Sequence, residues 1–259
     1  MKKINALILA GSIGLAAQAQ TVIDPLTGSL AGYTTTAILD NGLGNGAGVT
    51  FASSASGLSA SYTGPGATAE QSLLLAPASS FSTTFAVGDM LTVNVAMPTS
   101  SIVEDFGLAI AATPVAASAG NSWNSRTAFD YATISYRPSQ TAIRANSSIS
   151  GTLTTANGVI TGVAAPTVSE LFIAWNSVNS FTLGYVDSSS VYHNSETISF
   201  SPSSVIGTEI GFYGDLRNSG GTTLSYLSNL TIQPVPEPST LAMAGMSLFG
   251  LFAVVRRKK

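Results

Sequence analysis

His193, within Val191-Tyr192-His193-Asn194-Ser195-Glu196-Thr197, is the one histidine of the chain. A Ser-His-Asp relay would have to run through it. No Gly-x-Ser-x-Gly stretch presents a serine for such a relay. A single histidine also excludes multi-histidine metal sites, and its Ser/Asn-rich surroundings read as a turn between strands. The chain contains no cysteine, which removes thiol nucleophiles, thiolate metal ligands and disulfides. Carboxylates come next. A retaining glycosidase needs two of them about 5 Å apart on one face. Glu104 and Asp105 are adjacent, so on a strand they would point to opposite faces, and the pair reads as a polar turn before Phe106. Calcium would need several oxygen ligands. Asp24, Asp40, Asp105, Asp130, Asp187 and Asp215 are donors, but none lies in an Asp-x-Asp-x-Asp array. No cofactor is indicated, and calcium has donors without a definable ligand set. Trp123 sits in the polar loop Ala119-Gly120-Asn121-Ser122-Trp123-Asn124-Ser125-Arg126. Its indole could stack on the apolar C–H face of a sugar, with Asn124 or Arg126 bonding hydroxyls, or it could cover one end of the folded domain. Trp175, in an apolar run, reads as core.

The elements that must position these residues read as strands. Leu91, Val93, Val95 and Met97 alternate with polar or small residues, as do Ala132, Ile134 and Tyr136, and Phe181, Leu183 and Tyr185. Leu224, Tyr226, Leu230 and Ile232 share one face of a further run. Such period-two alternation marks strands with one buried face. Glu170 to Trp175 is apolar on both faces and reads as a central strand, and Glu209 to Gly214 is another candidate. Asn157-Gly158 is a hairpin turn signal, Asn218 to Gly221 separates two strand-like runs, and Asp40 to Gly48 reads as a loop. The one helical candidate is Thr68 to Leu75, limited by Pro77. Many short antiparallel strands imply two packed sheets. The expected fold is an all-β, two-sheet antiparallel β-sandwich of the jelly-roll kind.

Charge is concentrated at the ends. Six of the ten basic residues are Lys2, Lys3, Arg256, Arg257, Lys258 and Lys259. The middle holds four arginines against twelve acidic residues, a net charge of −8, and no lysine. So few cations make a poor nucleic-acid surface. Residues 1–19 read as a signal peptide: Lys2 and Lys3, an apolar stretch from Ile4 to Ala17, and small residues at Ala17 and Ala19 for signal peptidase. The other end reads Pro234-Val235-Pro236-Glu237-Pro238, then an uncharged segment at about residues 239–255, then Arg256 to Lys259. That segment is near the lower limit for spanning a bilayer as a helix, and the basic cluster places the C-terminus in the cytoplasm.

Pro236-Glu237-Pro238, the short span and the basic cluster resemble the PEP-CTERM sorting signal. The resemblance implies a Gram-negative host that makes exopolysaccharide and a membrane-embedded exosortase that cuts near the motif. The protein would be anchored transiently in the inner membrane and then reside on the cell surface or in the extracellular matrix. The expected organisation is residues 1–19 signal peptide, 20–233 β-sandwich ectodomain and 234–259 sorting signal. Within the middle, Asp105-Phe106-Gly107-Leu108, Phe172-Ile173-Ala174-Trp175, Gly211-Phe212-Tyr213-Gly214 and the closing Tyr226 to Ile232 resemble the concanavalin A-like, laminin-G-like jelly rolls. Laminarinase-like enzymes of that class carry Glu-x-Asp-x-x-Glu on one strand, and this sequence has no such motif. The expectation is a structural or glycan-binding module without catalysis. The alternative is a glycoside hydrolase or lyase acting on exopolysaccharide on the same fold.

Overall fold

Alternating runs can bury one face only by pairing edge to edge and packing against a second sheet. The computed structural model describes residues 20–39, 49–61, 69–96, 104–112, 127, 130–200, 206–217 and 226–235, and they are built in this way. Strands are numbered along the chain. The eight-stranded sheet runs in the order Tyr192–Ser199 (β13), Ser180–Asp187 (β12), Val168–Ser177 (β11), Asp89–Ala96 (β6), Tyr226–Pro234 (β15), Gly57–Ser61 (β4) and Thr50–Ser54 (β3). Thr21–Asp24 (β1) pairs alongside β15. The seven-stranded sheet runs Thr152–Thr161 (β10), Ala142–Ile149 (β9), Tyr131–Arg137 (β8), Glu104–Ala111 (β7), Glu209–Arg217 (β14), Ala69–Pro77 (β5) and Thr34–Leu39 (β2). Every pairing among them is antiparallel.

The core lies between the sheets. Leu91 and Val93, Ala132, Ile134 and Tyr136, and Phe181, Leu183 and Tyr185 all enter it, in the phase that their alternation predicts. Phe181 is its aromatic centre. Phe200 stacks on it at 4.9 Å, and Trp175 and Phe85 flank it at 5.0 and 6.4 Å. β11 is central, between β12 and β6.

Local expectations differ from the structure where a strand is covered twice or its phase slips. Thr68 to Leu75 is not helical, because it supplies most of β5. Leu74 faces the intersheet core while Leu73 and Leu75 join a second apolar cluster on the outer face. A strand covered on both sides loses its alternation and imitates a buried helix. Asn157-Gly158 is not the hairpin turn, since it lies inside β10 where the register shifts. The turn falls at Ser150-Gly151, whose φ angles of 50° and 75° give the left-handed pair that a two-residue hairpin requires. In β15, Leu227 rather than Tyr226 enters the core, followed by Leu230 and Ile232. A bulge at Asn229, φ 53°, moves the phase by one residue. Glu104-Asp105 opens β7 rather than forming a turn, and His193 lies in β13 opposite Tyr185.

The two ends of the domain meet. Thr21 pairs with Ile232, Pro234 pairs with Asp89, and the Val235 amide donates to the Gly88 carbonyl at 2.8 Å. Regular pairing therefore continues through Pro234, one residue past the expected ectodomain boundary.

Candidate functional site

The outer face of the seven-stranded sheet carries a row of charge across its strands. Register places Gln71 of β5 opposite Asp215 of β14, and Asp215 opposite Asp105 of β7. Arg137 of β8 closes the row. Its Nε donates to Asp105 Oδ1 at 2.8 Å, and its Nη2 donates to Asp105 Oδ2 and, at 3.4 Å, to Asp215 Oδ2. Arg144 of β9 adds a contact of 3.3 Å to Asp105 Oδ2, and Gln71 Nε2 donates to Asp215 Oδ2 at 2.9 Å. Asp105 and Asp215 are each 1% exposed and Arg137 is 3% exposed. Ions this buried persist only when paired and hydrogen-bonded. Burial pushes the Asp105 carboxyl above the usual carboxylate range, against the lowering pull of Arg137.

Facing residues on adjacent strands have Cβ atoms roughly 5 Å apart, close to the carboxyl spacing of a retaining glycosidase. Here an arginine holds both carboxylates. The rest of β7 presents Gly107, Ala109 and Ala111 on this face, so the strand aims a single carboxylate outward. Gly107 is required by close approach. A Cβ there would collide with the Ile134 carbonyl oxygen, and one at Gly211 would collide with that of Leu74.

The outer face of the eight-stranded sheet is different. A cleft of about 460 Å³ opens over β6, β11, β12 and β13. Gly88 and Ala174 are its small lining residues; Ala174 pairs with Met90, and Gly184, beneath the Phe172 ring, pairs with Phe172 and Asn194. The buried Met90 and Phe172 and the exposed Tyr192 line it, and Asn176, Thr182 and Asn194 supply polar groups. The Tyr192 ring stands edge-on to Phe172 at 5.7 Å and is 44% exposed. Asn176 Nδ2 donates to Thr182 Oγ1 at 2.6 Å. Sequence reading placed Tyr192 in a turn beside His193. The missing signal was the bulge at Ser195, which lets β13 continue in register with β12.

The other candidate residues are scattered. His193 Nε2 lies 2.8 Å from Asp187 Oδ2, and its ring stacks on Tyr185 at 4.6 Å. Asp187 also accepts from the Ser189 and Val191 amides, and these bonds, His193 first, hold its carboxyl below the usual range. Asp24 accepts from the Tyr33 hydroxyl and the Leu26 amide. Asp130 accepts from the Ser150 amide. Among the described residues no three His, Asp or Glu side chains gather as a metal site. Trp123, Asn124, Arg126 and Asp40 lie outside the described residues. So do Ala17, Ala19, Pro236, Glu237, Pro238 and Arg256, Arg257, Lys258 and Lys259. Among the described residues no helix is long and apolar enough to cross a membrane.

This architecture is a concanavalin A-like jelly roll. It superposes on a β-glucanase of Bacillus licheniformis with a TM-score of 0.50 and 14% identity, over 85% of this chain and 98% of that one. The VIP36 exoplasmic/lumenal domain, in a Ca2+/Man3GlcNAc-bound form, gives 0.45 and 11% over 85% and 91%. An endo-β-galactosidase of Clostridium perfringens that releases GlcNAcα1-4Gal gives 0.43 and 9% over 83% and 60%. At such identities the likeness is one of fold. No curated protein sequence matches the chain. Residues 234–258 match the family model of the PEP-CTERM protein-sorting motif. The chain therefore carries a PEP-CTERM sorting signal, the mark of an exported protein handled by an exosortase.

Proposed function

We propose that the protein is an exosortase-sorted component of the cell surface or extracellular matrix whose jelly roll binds neutral polysaccharide without cleaving it. The observation that carries this reading is the state of the facing carboxylates. Asp105 and Asp215 are buried and shared by Arg137, with Arg144 on Asp105 as well. A retaining mechanism needs one carboxylate open to the sugar as nucleophile and one proton donor in reach of the leaving oxygen. Neither role suits a carboxylate enclosed by guanidinium groups. The middle of the chain has a charge of −8 and no lysine, which disfavours anionic polymers and favours uncharged ones. Trp123 is a proposed sugar contact with Asn124 and Arg126. Calcium stays without an assigned ligand set.

The signal peptide of residues 1–19, the transient inner-membrane anchor with a cytoplasmic C-terminus, and the Gram-negative host belong to the same proposal. A glycoside hydrolase or lyase is the second reading. It draws on the facing register of Asp105 and Asp215 and on the raised Asp105 carboxyl, a property of general acids. Incubation of the purified protein with polysaccharide from the producing cells separates the two. Retention on the polymer without new reducing ends or unsaturated products is expected. Chain cleavage that disappears in Asp105→Asn would establish the enzyme instead.

A further inference from the structure

We propose that the cleft on the outer face of the eight-stranded sheet is a sugar subsite, with Tyr192 as its stacking residue and Asn194 as its principal hydrogen-bonding residue. The proposal rests on the polysaccharide-binding reading and gives it a location among the described residues. None of the residues lining the cleft is charged, although the middle of the chain is strongly acidic. A neutral lining on an acidic domain suits an uncharged ligand. The volume of about 460 Å³ is in the ordinary range for small-ligand sites, and the open sides let a polymer continue beyond it.

The lining also has the two kinds of surface that a pyranose presents. Tyr192, with the partly exposed Val235 beside it, offers apolar and aromatic area to ring C–H faces, and the buried Met90 and Phe172 back them. Asn176, Asn194 and Thr182 offer amide and hydroxyl groups that both donate and accept, as sugar hydroxyls do. The site is built in advance. Phe172 is 2% exposed and lies over Gly184, where a Cβ would sit only 2.6 Å from its ring. Phe172 in turn supports the edge of Tyr192, so this exposed ring is held against a fixed neighbour. A ring that loses little freedom on binding contributes more of its contact energy. One such subsite is weak, and retention on a polymer would come from many copies on one surface.

The test is affinity electrophoresis of the protein purified from producing cells, in gels containing that cell's own polysaccharide or dextran. Wild type, Tyr192→Ala, Asn194→Ala and Trp123→Ala are run side by side after circular dichroism shows equal folding. Tyr192→Ala is expected to weaken retardation about fivefold, in keeping with the loss of one aromatic contact. Asn194→Ala should weaken it less and Trp123→Ala should retain the Tyr192-dependent share. Retardation equal to wild type in both cleft variants would overturn the subsite and leave the binding module standing. Absence of retardation in wild type would overturn the module and the subsite together. A wild-type dimer in sedimentation that Tyr192→Ala converts to monomer would assign the cleft to a second copy of the chain and overturn the proposal.

Discussion

Arg137 is the residue on which the outer face of the seven-stranded sheet depends. It is one of four arginines in a lysine-free middle, and it neutralises two aspartates that are almost wholly buried. Removing one partner of a buried ion pair leaves an uncompensated charge and costs about 3–5 kcal/mol. Arg137→Ala is therefore expected to lower stability by about that amount, read from urea unfolding, while Arg144→Ala costs less because Arg144 is 17% exposed. Tyr33 gives a dependence on pH. Burial, then its bond to Asp24, pushes its phenol far above the usual range. The unfolded chain begins to ionise this group at about pH 10, where the folded chain still holds the proton. The associated stability is complete below that value and is lost as pH rises toward the folded value. Tyr33→Phe should lose about 1 kcal/mol at neutral pH with its hydrogen bond, and should show a shallower alkaline loss in unfolding measured at successive pH values.

At the scale of the element, β7 and β14 are fitted to their neighbours by glycine. Gly107 and Gly211 lie where a Cβ would strike the carbonyl oxygens of Ile134 and Leu74 on the adjoining strands. Backbone cannot retreat as a flexible side chain can. Gly107→Ala is expected to cost about 3 kcal/mol or more, at the upper end of overpacking penalties. Gly32→Ala is the control, since nothing lies within 4 Å of its added methyl. Urea midpoints of the two variants give the comparison directly.

For the whole molecule, the joining of its two ends is decisive. β1 lies beside β15, so the chain enters and leaves the sandwich from neighbouring strands. A chain cut after Thr231 would lose Ile232, which is 3% exposed and pairs with Thr21 and Leu91. It is expected to be less stable than one ending at Val235 by about 3 kcal/mol or more, measured by thermal or urea unfolding. Processing should leave this closure intact. Intact-mass measurement of protein from the cell surface is expected to show loss of residues 1–19 and of the Arg256 to Lys259 cluster. A species retaining that cluster would indicate a permanent anchor.

The sequence alone determined the sorting signal, the all-β class and the buried face of several strands. Those features are local: an ordered motif at residues 234–258, and a two-residue period in β6, β8 and β12. It also showed that thiol and multi-histidine chemistry is absent, because composition suffices for that. Tertiary structure alone decided the strand character of β5, since the burial of Leu73 and Leu75 in an apolar cluster on the outer face of their own sheet is invisible to a period count. It decided the phase of β15, which a single bulge at Asn229 reverses. The candidate sites belong wholly to this second kind. Asp105 and Asp215 are 110 positions apart and meet only through the β7–β14 register. The cleft around Tyr192 gathers residues from four strands. Pairing across a sheet is set by the packing of whole strands, so no stretch of sequence read by itself carries it.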